Sequence, residues 1–295
     1  MIAPRLQLGQ TVGIVSPSHV ANPDRYVPII SGIQSKGFRV KIGKNLYKNT
    51  YGYAASEQER ADDINSMIID SSVRMIFFGG GEGGNELLPW IDYDAIVKDP
   101  KIFLSYSDGT SILNAVYCET GLETYYGQTP DNYRAVQDYT FRQFQSHIME
   151  GNAKQMEKNS QWHTVCPGIC NGILIGGYLG NFAQEINRNY LKLNHQKKYI
   201  LFLEEHESFS CVARVSALLS YIEQSEFIHN VTGLLFGHYS AKLYPDLMAR
   251  LQRFGERYQI PVSYCDDFGH GENYAILPIG RKASLDTIKN SLVFC

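Results

Sequence analysis

Residues 105–109 read Ser-Tyr-Ser-Asp-Gly, a serine with small residues two positions before and two after it. The pentapeptide falls where an apolar run, Ile102-Phe103-Leu104, gives way to apolar residues at helical spacing, Ile112, Leu113, Val116 and Tyr117. A sharp strand-to-helix turn needs small side chains on either side of its apex, and it pushes the apical residue out of the sheet. There a hydroxyl can be activated, and backbone N–H groups can receive a developing oxyanion. Ser107 is therefore a candidate nucleophile. The same residues also suit an ordinary helix start, in which Ser107, Asp108 or Thr110 caps free N–H groups.

Three further segments carry groups with which such a serine could work. Phe77–Pro89 (FFGGGEGGNELLP) is a glycine-rich loop after an apolar run. It lacks the Gly-Lys-Ser/Thr ending of a phosphate-binding P-loop, so its glycines suit close backbone approach to a reacting carbonyl, or simply a tight loop. Tyr199–Phe209 (YILFLEEHESF) ends an apolar strand on Glu204, where a carboxylate could orient a histidine; Glu205 and Glu207 follow closely. His270, alone among eight histidines, is flanked by glycines, Gly269 and Gly271. A general base must approach the nucleophile while turning its other ring nitrogen to a carboxylate, and a glycine-flanked loop permits that. The chain order Ser107, Glu204, His270 is that of hydrolases with an elbow nucleophile.

The elements that must position these residues follow from periodicity. Apolar runs at Thr11–Val15, Phe38–Ile42, Val73–Phe78 and Ile102–Leu104 alternate with helical patterns at Tyr26–Lys36 and from a capping box at Ser56/Glu59 to about Ile69. That alternation predicts an α/β fold: an N-terminal doubly wound, mostly parallel sheet. Ligands of such sheets bind beyond the C-terminal strand ends, where Ser16–Ser18, Gly79–Gly84 and Ser105–Gly109 all fall. From about Asp131 to Cys166 the chain turns polar and reads as a connector with one helix near Tyr139–Met149. Apolar strands resume at Gly172–Ile175, Tyr199–Leu203 and Gly233–Phe236, with an amphipathic helix at Val212–Ile222. The expected organisation is residues 1–160, bearing the nucleophile, and a smaller C-terminal α/β domain, 161–295, bearing the acid and the histidine, with the active site at their interface.

Composition narrows the function. The chain has 295 residues, 44% hydrophobic and 19% charged, enough to bury a sizeable core. A net charge of −3 with no Lys/Arg cluster argues against nucleic acid and against membrane surfaces as partners. The first residues lack a charged n-region and a long apolar h-region, and no run approaches about 20 apolar residues, so a cytoplasmic protein is expected. Six cysteines (Cys118, Cys166, Cys170, Cys211, Cys265, Cys295) show no zinc-site spacing and read as free thiols. Neither a metal nor a cofactor is expected.

Ordered motifs along nearly the whole chain resemble the LD-carboxypeptidase family of serine peptidases, which includes muramoyl-tetrapeptide carboxypeptidases and microcin-immunity peptidases. They are VGIVSPS (12–18), ERADDIN (59–65), GG…LLPWIDYD (80–94), DPKIFLSYSDGTSIL (99–113), TGLETYYG (120–127), ILFLE (200–204) and GHG…LPIGRKASLD (269–286). The resemblance implies Ser107 as nucleophile, Glu204 as acid and His270 as base. The N–H groups of Asp108 and Gly81 would be the oxyanion donors, and Gly80 and Arg214 substrate-binding residues. The chain departs from the family's usual pattern at Ser105, where glycine is usual, and at Tyr126–Pro130. The Glu204–Glu207 spacing is one residue shorter than usual, leaving Glu205 as a second candidate acid. The implied activity is release of the terminal D-alanine from an L,D-linked muropeptide tetrapeptide in cell-wall recycling. The substrate would be a small peptide, with a homodimer left open. Two alternatives stand beside it. One is cleavage of a microcin-type peptidyl- or aspartyl-nucleotide amide, for which Trp162 could stack the base. The other is a non-enzymatic small-ligand binding protein.

Overall fold

The computed structural model describes residues 1–186 and 188–295, and the chain divides into two compact units, Met1–Asn152 and Ala153–Cys295. The first unit opens on strand β1 (Thr11–Val15), every residue of which is buried. Helix α1 (Pro23–Ser35) starts where the Asn22 side chain accepts from the N–H groups of Asp24 and Arg25, with proline in its first turn. Strand β2 (Arg39–Ile42) is followed by α2 (Glu57–Ile69), whose capping box between Ser56 and Glu59 forms as its sequence predicts. Then come β3 (Val73–Phe78), α3 (Tyr93–Lys98), β4 (Ile102–Ser105), α4 (Thr110–Thr120), β5 (Thr124–Tyr126) and α5 (Asp138–Phe144). The expected helix at 139–149 is present, and its last part, Gln145–Met149, continues α5 as a π-helical turn.

Within this unit the strands lie in the order β5-β4-β3-β1-β2, and each neighbouring pair is parallel. The chain therefore leaves β1 for β2 on one side and returns to β3 on the other. Connections leaving in opposite directions open a crevice beyond the C-terminal ends of β1 and β3, the usual ligand position in such sheets. Residues 16–22 and 79–84 form the two lips of that crevice, and the turn after β4 stands next to them.

The second unit contains β6 (His163–Cys166), β7 (Ile169–Tyr178), α6 (Leu179–Glu185), β8 (Tyr199–Glu204), α7 (Val212–Glu223), β9 (Val231–His238), α8 (Pro245–Tyr258) and β10 (Val262–Gly269). It ends with β11 (Leu277–Ile279), β12 (Lys282–Asp286) and β13 (Ser291–Phe294). Its seven-stranded sheet has the order β13-β12-β7-β8-β9-β10-β6. The central strands β7, β8, β9 and β10 are parallel, and antiparallel strands flank them on both sides.

The polar stretch expected to be a connector holds more structure than its composition suggests. Pro130–Arg134 forms a 3-10 turn, and β6 pairs antiparallel with β10. β6 lies at the sheet edge with half-exposed residues, so it lacks the apolar alternation by which strands are read from sequence. The boundary expected near residue 160 falls just inside the second unit. Residues 154–159 are tied to that unit by hydrogen bonds that include Phe294 N–H to the Lys154 carbonyl (2.8 Å), Met156 N–H to the Leu292 carbonyl (2.9 Å), Asn159 N–H to Asp267 Oδ1 (2.9 Å) and the Asn159 amide to Asn273 Oδ1 (2.7 Å). Among the described residues no helix is long and apolar enough to cross a membrane.

Candidate active site

In the first unit Ser107 occupies the turn between β4 and α4 with a backbone φ of 57°, in the left-handed region. A side chain with a Cβ costs about 1–2 kcal/mol there, so its surroundings must hold it. The Ser107 N–H donates to the Tyr126 hydroxyl at 3.0 Å, the Thr110 hydroxyl donates to the Ser107 carbonyl at 2.7 Å, and the Gly109 N–H donates to the Tyr106 carbonyl at 3.1 Å. Because the Ser107 N–H is engaged by Tyr126, an oxyanion at this elbow must find its donors elsewhere. Ser105 is accommodated because its hydroxyl turns away and donates to the Phe78 carbonyl at 2.8 Å. Gly109 opposite leaves that hydroxyl its room.

The loop after β3 presses directly on the serine. A Cβ added at Gly80 would stand 2.6 Å from Ser107 Cβ and 3.0 Å from its Oγ. Gly80 is outside the left-handed region, so alanine there is opposed by Ser107 rather than by its own backbone. Gly80→Ala should accordingly displace Ser107, the candidate nucleophile, and lower kcat by about 100-fold, the scale of a misplacement near 1 Å. Steady-state rates beside an unchanged melting temperature are the check, and a rate within threefold of wild type would refute it.

Several contacts hold this loop. Asp108 Oδ2 accepts from the Gly84 N–H at 2.7 Å, the Ser18 carbonyl accepts from the Glu82 N–H at 3.0 Å, and His19 Nδ1 meets the Gly80 carbonyl at 2.9 Å. Beneath them lies Arg60, 2% exposed, which donates to the carbonyls of Pro17 (2.5 Å) and Gly83 (3.2 Å) and is paired with Glu86. A guanidinium, with several donors fixed in one plane, suits the bridging of two loops in this way.

In the second unit β8 (YILFLE) is buried throughout, Glu204 included at 0% exposure. A buried carboxylate is costly unless it is paired. Its partner is His270, whose Nδ1 lies 2.8 Å from Glu204 Oε2. Since a carboxylate accepts, Nδ1 carries the proton and Nε2 is left to take one. Gly269, with φ 103°, supplies a left-handed turn before His270, and a Cβ there would meet Glu204 Oε2 at 3.1 Å. The rings of Tyr178 and Phe209 pack edge-on against the imidazole, with centroids 5.3 and 5.2 Å away.

Glu205 is also buried, but its Oε1 accepts from the His206 N–H at 3.1 Å. Glu205 lies just beyond the end of β8, and the charges of Glu204 and His270 both act on it. Burial pushes the Glu205 carboxyl upward, against a hydrogen bond from Tyr178. Of the two candidate acids, Glu204 is thus the one bonded to His270. Arg214 is exposed in the first turn of α7, and among the described residues it forms no ion pair.

Several groups around these residues were not legible in the sequence. His238 Nδ1 pairs with Asp266 Oδ1 at 2.7 Å, and its ring lies against Gly271 beside the His270 loop. His206 sits between them, its ring 5.5 Å from His238 and 6.4 Å from His270. Burial first, then the neighbouring His238 and His270, hold the His206 imidazole below its ordinary pKa. Trp162, the candidate for stacking a base, is buried at 6% exposure, with its indole N–H donating to Asp267 Oδ2 at 2.6 Å.

Comparison with known proteins places both units in the same context. The LD-carboxypeptidase N-terminal domain family matches residues 12–127, and the LD-carboxypeptidase C-terminal domain family matches residues 171–285. The chain is 27% identical to the Microcin C7 self-immunity protein MccF of Escherichia coli, over 97% of this chain and 93% of that protein. It is also 27% identical to a probable murein peptide carboxypeptidase of Bacillus subtilis, over 98% and 92% of the two chains. The crystal structure of an MccF-like protein from Bacillus anthracis shares the fold at a TM-score of 0.91 and 23% identity, covering 100% of this chain and 99% of that one.

Proposed function

The chain belongs to the LD-carboxypeptidase family, and from that premise we propose that it is a cytoplasmic serine carboxypeptidase releasing terminal D-alanine from L,D-linked muropeptide tetrapeptides. The observation that carries the reading is Ser107, held in a left-handed conformation at a strand-to-helix turn. Strain of this kind persists where the surroundings over-determine it, which is the arrangement of an elbow nucleophile.

In this reading His270 Nε2 takes the proton from Ser107 Oγ as that oxygen attacks the scissile carbonyl. Glu204 holds the imidazole in the Nδ1–H tautomer and stabilises the imidazolium that forms. The N–H groups of Asp108 and Gly81 receive the oxyanion. His270 then returns the proton to the departing amine of D-alanine, leaving an ester on Ser107 that water hydrolyses by the same relay. Ser107 belongs to the first unit and the Glu204–His270 pair to the second, so the proposed reaction requires both units. Gly80, with no side chain, would let the substrate backbone approach the serine, and Arg214 would bind the terminal carboxylate.

A cation kept in the first turn of a helix opposes the helix dipole, and this supports a ligand-binding role for Arg214 over a purely local one. The test is D-alanine release from tetrapeptide, read by mass spectrometry, beside the same peptide amidated at its C-terminus. Amidation removes a charge-assisted contact of roughly 1.5–3 kcal/mol, so kcat/KM should fall about 10- to 150-fold. Equal rates on acid and amide would count against the carboxypeptidase reading. The second reading, cleavage of a microcin-type nucleotide amide, is favoured by the relative named for microcin self-immunity and by Phe209, 65% exposed beside His270. It predicts turnover of an aspartyl-adenylate amide analogue and none of tetrapeptide.

A further inference from the structure

His19 stands on the lip of the β1–β3 crevice, and nothing in the reaction as derived uses it. Its backbone is fixed by the Ser16 hydroxyl, which donates to the His19 carbonyl at 2.6 Å. Its Cε1 lies 3.4 Å from the position a Gly79 Cβ would take, so the ring covers the start of the glycine loop. Its Nδ1 is 2.9 Å from the Gly80 carbonyl oxygen. A carbonyl can only accept, so Nδ1 bears the proton. The Gly80–Gly81 peptide is trans, as are all peptide bonds among the described residues. In a trans peptide the C=O and the following N–H point in opposite directions. Tethering the Gly80 carbonyl to His19 therefore aims the Gly81 N–H the other way, and that N–H has no hydrogen-bond partner among the described residues.

We propose that His19 is a positioning residue that orients the Gly80–Gly81 peptide so that the Gly81 N–H is presented to the oxyanion formed at Ser107. The inference rests on the reading of Ser107 as nucleophile and Gly81 as oxyanion donor. Glycines on both sides of this peptide leave its plane free to rotate, and only an external tether can hold it. An oxyanion donor acts by being oriented before the reaction, so losing the tether weakens transition-state stabilisation more than substrate binding. Burial holds the imidazole below its ordinary pKa, with Arg25 acting in the same direction, against the hydrogen bond to Gly80. The neutral ring keeps the Nδ1 proton for the carbonyl.

The experiment uses the full chain and a fluorophosphonate probe, which phosphonylates the serine oxygen with loss of fluoride while its phosphoryl oxygen occupies the oxyanion site. Labelling rates are compared for wild type, His19→Phe, His19→Ala, His19→Asn and Ser107→Ala. The Phe and Ala variants should label about 10- to 100-fold more slowly, somewhat less than the loss of a whole oxyanion donor. Asn, whose amide N–H can replace Nδ1–H, should stay within about threefold of wild type. Phe labelling at the wild-type rate, or Asn as slow as Ala at an unchanged melting temperature, overturns the proposal. ¹⁵N shifts of the His19 ring in the unmodified chain decide the matter independently of how the variants fold, since a ring protonated on Nε2 with a bare Nδ1 excludes the tether. Failure of wild type to label at all would instead overturn the reading of Ser107, and this inference with it.

Discussion

Replacing Ser107 by alanine is expected to abolish turnover, with kcat lowered by about 10⁴- to 10⁶-fold, the range seen when the nucleophile of a triad is removed. The loss should leave the fold intact, because the Ser107 backbone N–H and carbonyl both make contacts that hold the turn and alanine keeps both groups. Alanine keeps the Cβ and hence the left-handed strain, so its melting temperature should stay close to that of wild type. Glycine removes both, and Ser107→Gly should be equally inactive yet more stable by about 1 kcal/mol. An inactive variant that gains stability is the signature of strain retained for function, and it separates a strained nucleophile from a simple helix cap. A cap would show the reverse, with stability lost on removal of the hydroxyl and activity preserved. Activity of Ser107→Ala within tenfold of wild type would refute the assignment.

The elbow was legible because every part of it is local. Strand, apex and helix lie within residues 102–120, and their periodicity and small residues are visible in order. What holds the elbow was not visible. Tyr126, whose hydroxyl accepts from Ser107, belongs to the next strand, and His19 reaches Gly80 from a loop far earlier in the chain. Pairings of that kind are set by strand order, and no spacing rule encodes them. Glu204 and His270 were named as separate candidates from local context, and their association came from chain order and family resemblance. The bond between them depends on the C-terminal ends of β8 and β10 lying on the same side of a parallel sheet. Trp162 shows how composition misleads. Its neighbours are polar, but its indole is buried against Asp267, whose strand is more than a hundred residues away. The strand His163–Cys166 was hidden for a related reason, since an edge strand need not show apolar alternation.

The second large effect is expected at Glu204. Its carboxylate accepts from His270 Nδ1, and this leaves Nε2 unprotonated and able to receive a proton. Glutamine has nearly the same shape, so Glu204→Gln should fold normally within the space left by Gly237 and Gly269. Its amide can present N–H to Nδ1, however, and so select the tautomer protonated on Nε2, which cannot accept a proton from Ser107. It also removes the negative charge that stabilises the imidazolium. The corresponding change in a serine-protease triad lowers kcat about 10⁴-fold with geometry preserved, and a loss of that order is expected here with KM little changed. The informative control is the neighbouring carboxylate. Glu205→Gln should stay within about tenfold of wild type, because Glu205 Oε1 accepts from the His206 N–H, a bond that the oxygen of glutamine can also accept. Steady-state kinetics of the two variants, with ¹⁵N shifts of the His270 ring, distinguish the roles. Glu204→Gln should move the ring proton from Nδ1 to Nε2, and Glu205→Gln should leave it in place. If Glu205→Gln proved the more damaging, with the His270 tautomer unchanged in Glu204→Gln, the acid would have to be reassigned to Glu205.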